Sequence, residues 1–108
     1  MTVELLWWDG CPSHPEALAE LETILREEGV PAVVTRVEIE DDEQARRERF
    51  PGSPTIRIDG EDIDPPPGDE PVGLTCRVYR LRDGRISPTP DPATVREALS
   101  NAMTGSTP

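Results

Sequence analysis

The side chains best suited to chemistry in this sequence are two cysteines and one histidine. Cys11 follows the first apolar run of the chain and precedes its first helical pattern, and His14 stands three residues later. The amide groups and the positive dipole at the start of a helix favour a thiolate, so Cys11 is predicted to be a nucleophile. His14 could serve that thiolate as an imidazolium partner or a proton shuttle. The alternative is a solvent-exposed histidine in the first helical turn, without a role.

Local capping predicts where Cys11 lies relative to the helix. Ser13 and Glu16 have the S-x-x-E spacing of a capping box, and Pro15 is a residue type that favours the first helical turn. This pattern predicts that Ser13 is the N-cap and that His14 begins the helix. Cys11 would then lie just outside the helix, within reach of its unpaired amide groups.

Cys76, the second cysteine, has two possible positions. If a fourth strand runs from Cys76 to Leu81, its start lies at the opposite edge of the sheet from Cys11, about 17 to 20 Å away. Cys76 is then a buried strand thiol, which is the favoured interpretation. If the segment Glu61 to Thr75 instead folds back along the sheet, Cys76 approaches Cys11 and can resolve a mixed disulfide. A disulfide requires Cα atoms within about 7 Å of each other.

Metal binding is a competing use of the same side chains. Two thiols and an imidazole, from Cys11, Cys76 and His14, suit Zn²⁺, Cu(I) or mercury. Three ligands make a weak pattern, so a soft-metal carrier or sensor is the second hypothesis, and the sequence predicts neither a resident metal nor a cofactor. The acidic runs Glu38 to Glu43 and Glu61 to Asp64 lack EF-hand spacing and indicate solvated faces.

A predicted alternation of strands and helices positions these residues. Val3 to Trp8 is almost continuously apolar, as in a strand covered on both faces, and Pro15 to Gly29 has helical apolar spacing. In a second strand, Pro31 to Ile39, the residues Val33, Thr35, Val37 and Ile39 are predicted to face inward. The remaining predicted elements are a short helix after Asp41, a third strand at Pro54 to Asp59, a Pro-rich loop at 60–75, a fourth strand at Cys76 to Leu81 and a last helix capped by Asp91. The order β, α, β, α, β, β, α predicts an α/β fold: a four-stranded mixed sheet with helices on both faces.

Composition and charge limit the functions open to the chain. With 108 residues it is predicted to form one domain over residues 1–103, followed by a disordered tail at 104–108. Acidic residues outnumber basic ones 22 to 11, and the net charge of −11 disfavours binding to nucleic acid or to an anionic membrane surface. Every basic residue is arginine, which excludes Schiff-base and Walker-type chemistry. The first residues lack a signal-peptide pattern, so we expect a cytoplasmic protein with reduced cysteines.

Three segments of the chain resemble the thioredoxin-like superfamily. They are residues 9–14 (DGCPSH), 52–55 (GSPT) and 73–79 (GLTCRVY), and the last is similar to a stretch found in small stand-alone members. The resemblance covers about Val3 to Leu99 and implies a thioredoxin-like fold for the whole domain.

The resemblance also implies which residues meet the substrate. It predicts a cis Ser53–Pro54 bond whose preceding backbone is available to pair with a substrate strand, and it makes Pro12, Ser53 and Pro54 substrate-binding residues. An ordinary trans proline at the start of a strand is the alternative.

The function implied is that of a thiol–disulfide oxidoreductase, with a protein or a low-molecular-weight thiol or disulfide as substrate. Thioredoxins and most glutaredoxins use a C-x-x-C pair, whereas His14 occupies the second position here. Cys11 would therefore need Cys76 or an external thiol to complete the reaction. A third hypothesis is a thioredoxin-like scaffold that binds a protein partner and uses neither thiol.

Overall fold

The computed structural model describes residues 1–66 and 72–103, which fold into three helices and six strands. The helices are α1 (His14–Glu27), α2 (Asp42–Glu48) and α3 (Pro92–Met103). The strands are β1 (Val3–Trp7), β2 (Val34–Glu38), β3 (Thr55–Ile58), β4 (Glu61–Asp62), β5 (Tyr79–Arg80) and β6 (Ile86–Ser87). The predicted disordered tail at 104–108 lies outside the described residues, as does part of the predicted loop, residues 67–71.

Four of the described strands form a mixed sheet in the order β2-β1-β3-β4. β1 runs parallel to β2, with Val3 opposite Val34, and antiparallel to β3, with Leu6 opposite Thr55. The end of β1 and the start of β3 therefore meet at one edge of the sheet. This edge carries Cys11, which follows β1.

Apolar side chains pack on both faces of this sheet. On one face Val3 and Leu5 of β1 pack against the apolar residues of α1 and α3. On the other face Leu6 packs with Ala45 of α2 and with Phe50. Consecutive residues of a strand point to opposite faces, so the continuous apolar run of β1 is explained by burial on both sides. The predicted α/β fold with a four-stranded mixed sheet is confirmed at this level.

The ends of the helices follow the predicted capping residues. Helix α1 stops at Glu27, and Gly29 beyond it has a φ of 68°, the left-handed conformation that terminates helices. Asp41 caps α2 by accepting a hydrogen bond of 2.8 Å from the N–H of Gln44. Asp91 caps α3 in the same way, by accepting from the N–H of Ala93 at 2.8 Å. Among the described helices, none combines the length and the apolar character needed to cross a membrane.

The predicted fourth strand is wrong. The fourth strand of the sheet is β4, which pairs with β3 across a turn at Asp59 and Gly60, whose φ angles are 52° and 83°. Two consecutive positive φ angles are what a two-residue Asp-Gly hairpin requires. The predicted loop at 60–75 thus begins with a strand. Of the predicted strand at Cys76 to Leu81, only β5 forms, and it pairs with β6 in a separate two-stranded sheet.

The predicted inward face of the second strand is wrong at two positions, Val33 and Thr35. The Val33 side chain is 89% exposed, Thr35 is also exposed, and β2 begins only at Val34. Helix α2, which covers this face, has seven residues and reaches only the carboxyl end of the strand, where Val37 and Ile39 pack.

Candidate functional site

The Cys11 thiol lies in the turn between β1 and α1. Its N–H donates to the carbonyl oxygen of Trp8 at 3.1 Å, and the side chain is only 3% exposed. Helix α1 begins at His14 with Ser13 as its N-cap residue, as predicted. Cys11 therefore stands just before the helix, where unpaired amide groups are close.

The predicted capping box at Ser13 is wrong, and the difference matters for the thiol. Among the described helix amides, none donates to the Ser13 side chain. The backbone of Ser13 is helical (φ −85°, ψ −7°) rather than extended, so its side chain does not reach over the first turn. Its hydroxyl oxygen instead lies 3.3 Å from the Cys11 sulfur.

Cys76 lies at the same edge of the sheet as Cys11. The residue before Pro54, Ser53, forms a parallel β-bridge with Cys76. The N–H of Ser53 donates to the carbonyl of Thr75 and the N–H of Arg77 donates to the carbonyl of Ser53, both at 2.8 Å. The favoured prediction of a buried strand thiol at the opposite edge is therefore wrong. Cys76 is exposed and lies beside Ser53, on the side of Cys11, as the alternative required.

The two cysteines are free thiols, and their pKa values move in opposite directions because they influence each other. Burial opposes ionisation of Cys11, but hydrogen bonds from the Cys76 thiol and from Ser13 outweigh it and lower the pKa of the Cys11 thiol. Donation to Cys11, followed by burial and by the negative charge on the Cys11 sulfur, raises the pKa of Cys76 to about 11. Cys11 is thus the sulfur that ionises first.

The backbone of Ser53 lies between the two cysteines, since its carbonyl contacts the Cys11 sulfur and the residue forms a β-bridge with Cys76. The Ser53–Pro54 bond is cis, as expected. The hydroxyl of Ser53 accepts from the N–H of Trp8 at 3.1 Å, and its carbonyl accepts from the protonated Cys11 thiol at 3.5 Å. However, both backbone hydrogen-bonding groups of Ser53 are already paired with residues 75 and 77. The prediction that this backbone is available to a substrate strand is wrong for this conformation.

Arg77 holds the segment that carries Cys76, although sequence reasoning did not identify it. Its side chain is only 8% exposed and forms an ion pair of 2.7 Å with Asp62 of β4. The guanidinium also donates to the hydroxyl of Thr55 at 3.2 Å and to the carbonyl of Asp64. It lies 4.5 Å from the centre of the Tyr79 ring, a cation–π distance. A buried charge with this many partners fixes the residues on either side of it.

Two further features keep the Cys76 segment close to Ser53. The Tyr79 hydroxyl donates to the carbonyl of Pro54, and burial of this side chain raises its pKa. Gly52 has a φ of 144°, and a Cβ added there would lie 3.0 Å from the Arg77 Cβ and 3.1 Å from its Cα. Glycine is required at position 52 because any side chain would push Arg77 away.

His14 lies near Cys11 but is directed to its backbone. The imidazole stacks on Trp7, with ring centres 4.1 Å apart, and its Nδ1 lies 3.2 Å from the Cys11 carbonyl oxygen, to which it can donate. Within the described residues, the sulfur of Cys11 has hydrogen bonds with Ser13 and Ser53 but none with His14. The geometry therefore favours a role for His14 in positioning the turn.

The thiols of Cys11 and Cys76, called the sulfur pair below, lie at the wall of a cavity. The cavity has a volume of about 510 Å³ and is lined by both cysteines together with Pro12, Val78 and Ile86. The predicted substrate-binding residue Pro12 therefore stands beside the thiols. Cavities of this size accommodate small ligands.

A three-ligand metal site is not assembled here. Within residues 1–66 and 72–103, no group of three or more His, Cys, Asp or Glu side chains is placed to hold a metal ion. The set of Cys11, His14 and Cys76 considered from the sequence reduces to two adjacent thiols.

Comparison of the chain with protein-family models, with curated proteins and with solved structures finds no match in any of the three.

Proposed function

We propose that this protein is a thioredoxin-like thiol–disulfide oxidoreductase in which Cys11 is the nucleophile and Cys76 the resolving cysteine. The observation that carries the proposal is the placement of both thiols on one cavity, with Cys76 bridged to Ser53, whose carbonyl oxygen lies 3.5 Å from the Cys11 sulfur. The pKa of Cys11 is lowered and that of Cys76 is raised, which is the asymmetry that a nucleophile and a resolving thiol need.

The reaction consists of two exchanges between sulfur atoms. The Cys11 thiolate attacks a substrate disulfide, R–S–S–R, forming a mixed disulfide and releasing one RS⁻, which takes up a proton. Cys76 then loses its proton and attacks the Cys11 sulfur, forming a Cys11–Cys76 disulfide and releasing the second RS⁻. The two protein thiols are oxidised by two electrons, and the substrate disulfide is reduced to two thiols. An external dithiol returns the protein to its reduced state.

The arrangement of the sheet supports the thioredoxin-like part of the proposal. The central strand β1 is parallel to β2 and antiparallel to β3, and the nucleophile follows β1 at the start of α1. This is similar to the placement of the reactive cysteine in the family that residues 9–14 resemble. The β5–β6 hairpin is an addition to the four-stranded sheet, and Cys76 lies three residues before β5. A reducing, cytoplasmic location would keep both cysteines available as thiols.

Intact-mass measurement of three chains tests the assignment of roles. After exposure to bis(hydroxyethyl) disulfide near neutral pH, the natural chain should lose two hydrogens as the Cys11–Cys76 disulfide forms. Cys76→Ser should accumulate one mixed disulfide on Cys11, and Cys11→Ser should react much more slowly. Equal reaction of the two single variants would contradict the assigned roles.

The pKa of Cys11 provides an independent test. Cys76→Ala removes the hydrogen-bond donor, so the pKa of Cys11 should rise, and the thiolate absorbance in the ultraviolet should appear at higher pH. Cys76→Ser is the matched control, because its hydroxyl can still donate and should preserve more of the lowered pKa. An unchanged titration of Cys11 in Cys76→Ala would show that the two sulfurs do not interact.

The same sulfur pair favours a second function, the binding of a soft ion. With two adjacent thiols and no third ligand among the described residues, the site suits a two-coordinate ion such as Cu(I) better than tetrahedral Zn²⁺. Native mass spectrometry with Cu(I) tests this, and retention of one ion that is lost in Cys76→Ser would support it. A chain that stays metal-free would exclude it.

A further inference from the structure

An extended peptide cannot pair with the backbone beside the nucleophile in this conformation. The N–H and the carbonyl of Ser53 are both engaged by residues 75 and 77 of the chain itself. The carbonyl of Pro54 is likewise engaged, by the Tyr79 hydroxyl. Arg77, which is buried and paired with Asp62, fixes this segment in place. A substrate must therefore reach Cys11 by another route than strand pairing.

The cavity beside the sulfur pair is that route. Cys11 is almost completely buried, yet its side chain lines this cavity together with that of the exposed Cys76. Apolar side chains line the same cavity as the two sulfurs. Val78 and Ile86 are 63% and 61% exposed, unusually high for large apolar side chains, and Pro12 and Pro88 are exposed beside them.

The charges around the cavity disfavour an anionic ligand. Two charged residues line it, Glu16 and Arg77. The guanidinium of Arg77 is already neutralised by Asp62, whereas Glu16 is exposed. The chain as a whole carries a net charge of −11. An anionic substrate would meet an unneutralised carboxylate at the cavity and a repulsive field around it.

We propose that the substrate is a small, uncharged disulfide or other thiol-reactive sulfur compound whose apolar group, aromatic or branched, lies in this cavity against Val78 and Ile86. This inference rests on the proposed function, because it places the reacting sulfur of the substrate at Cys11. The apolar group is held in the cavity while its sulfur faces the thiolate, and the exchange then follows the two steps given above.

Methanethiosulfonates that share one leaving group test the proposal. Each transfers an R–S group to the thiolate, forming Cys11–S–S–R and releasing methanesulfinate, so differences in rate report the R group. The benzyl, methyl and sulfonatoethyl reagents supply an apolar, a minimal and an anionic R group. The measurement uses the full chain with Cys76→Ser, because this variant retains the mixed disulfide for detection by mass spectrometry. The rate with each reagent is divided by the rate at which the same reagent reacts with free mercaptoethanol.

We expect benzyl transfer to exceed methyl transfer about tenfold after this normalisation. That ratio corresponds to roughly 60 Å² of additional apolar contact at about 25 cal/mol per Å². The anionic reagent should be slower than the methyl one. In Val78→Ser/Ile86→Ser the benzyl-to-methyl ratio should fall close to one. In Val33→Ser, an exposed valine outside the cavity, the ratio should stay high.

The outcomes separate the two proposals. If Cys11 reacts with all three reagents at equal normalised rates, or if the serine variants keep the benzyl preference, the substrate class is wrong although Cys11 remains a nucleophile. If Cys11 reacts with none of them faster than a denatured chain does, the proposed function itself is wrong. Because Val78 and Ile86 are exposed, their replacement should leave the folded state intact, which circular dichroism checks.

Discussion

Replacing Arg77 tests whether a buried ion pair holds the second thiol at the site. Arg77→Met keeps an unbranched side chain of similar length but removes the guanidinium. It leaves the Asp62 carboxylate, 15% exposed, without its partner at 2.7 Å, and leaves the Asp64 carbonyl and the Thr55 hydroxyl without a donor. The segment carrying Cys76 then loses its main attachment to β4.

The expected loss in the free energy of unfolding follows from the burial of the Arg77–Asp62 ion pair. Removing one partner of a buried ion pair destabilises a protein by about 3 to 5 kcal/mol, because a charge stays buried without compensation. An exposed ion pair contributes about 0 to 1 kcal/mol. The matched control is Arg82→Met, since Arg82 pairs with Glu97 at 3.1 Å but both side chains are more than half exposed.

Urea denaturation followed by circular dichroism measures the difference. With a slope of about 2 kcal/mol per M, a loss of about 4 kcal/mol lowers the midpoint by roughly 2 M, and the control should shift it by less than about 0.5 M. Arg77→Met should also slow formation of the Cys11–Cys76 disulfide. If Arg77→Met and Arg82→Met shift the midpoint equally, the anchoring role assigned to Arg77 is refuted.

Three smaller changes test other contacts of the site and their local setting. Ser13→Ala should raise the pKa of Cys11, seen as a later onset of thiolate absorbance with pH, because a hydrogen bond to the sulfur is lost; an unchanged titration would count against that contact. Asp41→Ala, which removes a helix cap, should lower the free energy of unfolding by about 1 kcal/mol. Ser13→Ala should lower that free energy by less, because the Ser13 side chain caps no helix amide, and the reverse order would contradict the cap assignments. Gly52→Ala should destabilise the fold by about 1 to 3 kcal/mol more than Gly84→Ala. Both positions have positive φ, but a Cβ at position 84 meets no described atom within 4 Å. Equal losses of stability would therefore argue against close packing at Gly52.

Those parts of the fold that depend on local sequence were predictable. The apolar spacing of Ala17, Leu21 and Leu25 and the stop at Gly29 produce α1 because a helix is specified by residues three and four apart. Asp91 produces the start of α3 for a similarly local reason. The placement of Cys11 just before a helix follows directly from these boundaries.

The turn at Gly60 was predictable from the sequence, but the strand that follows it was not predicted. An Asp-Gly pair after a β-branched strand is a strong hairpin pattern, and it leads directly into β4. The prolines that follow gave the whole stretch the composition of a loop. A strand of two residues, Glu61 and Asp62, has too little sequence to show an alternating pattern of its own.

The position of Cys76 could not be read from local sequence. It depends on a β-bridge to Ser53 and on the burial of Arg77, and both link residues more than ten positions apart. Arginine is a residue type that is mostly exposed, so position 77 gave no indication of being buried. The side chain of Ser13 illustrates the same limit, because its partner is a sulfur atom and not the predicted helix amide.

In the proposed reaction, the interaction between the two cysteines would also set the order in which they react. Hydrogen bonding to Cys11, followed by burial and by the negative charge on the Cys11 sulfur, raises the pKa of Cys76 to about 11. Once Cys11 has formed a mixed disulfide, its sulfur carries no charge, and the two contributions that come from Cys11 disappear. The pKa of Cys76 would then fall, so in the proposed reaction Cys76 becomes a nucleophile only after Cys11 has captured a substrate. The proposed order of the two steps thus requires no separate base, which is consistent with an imidazole at His14 that is directed to the backbone of Cys11.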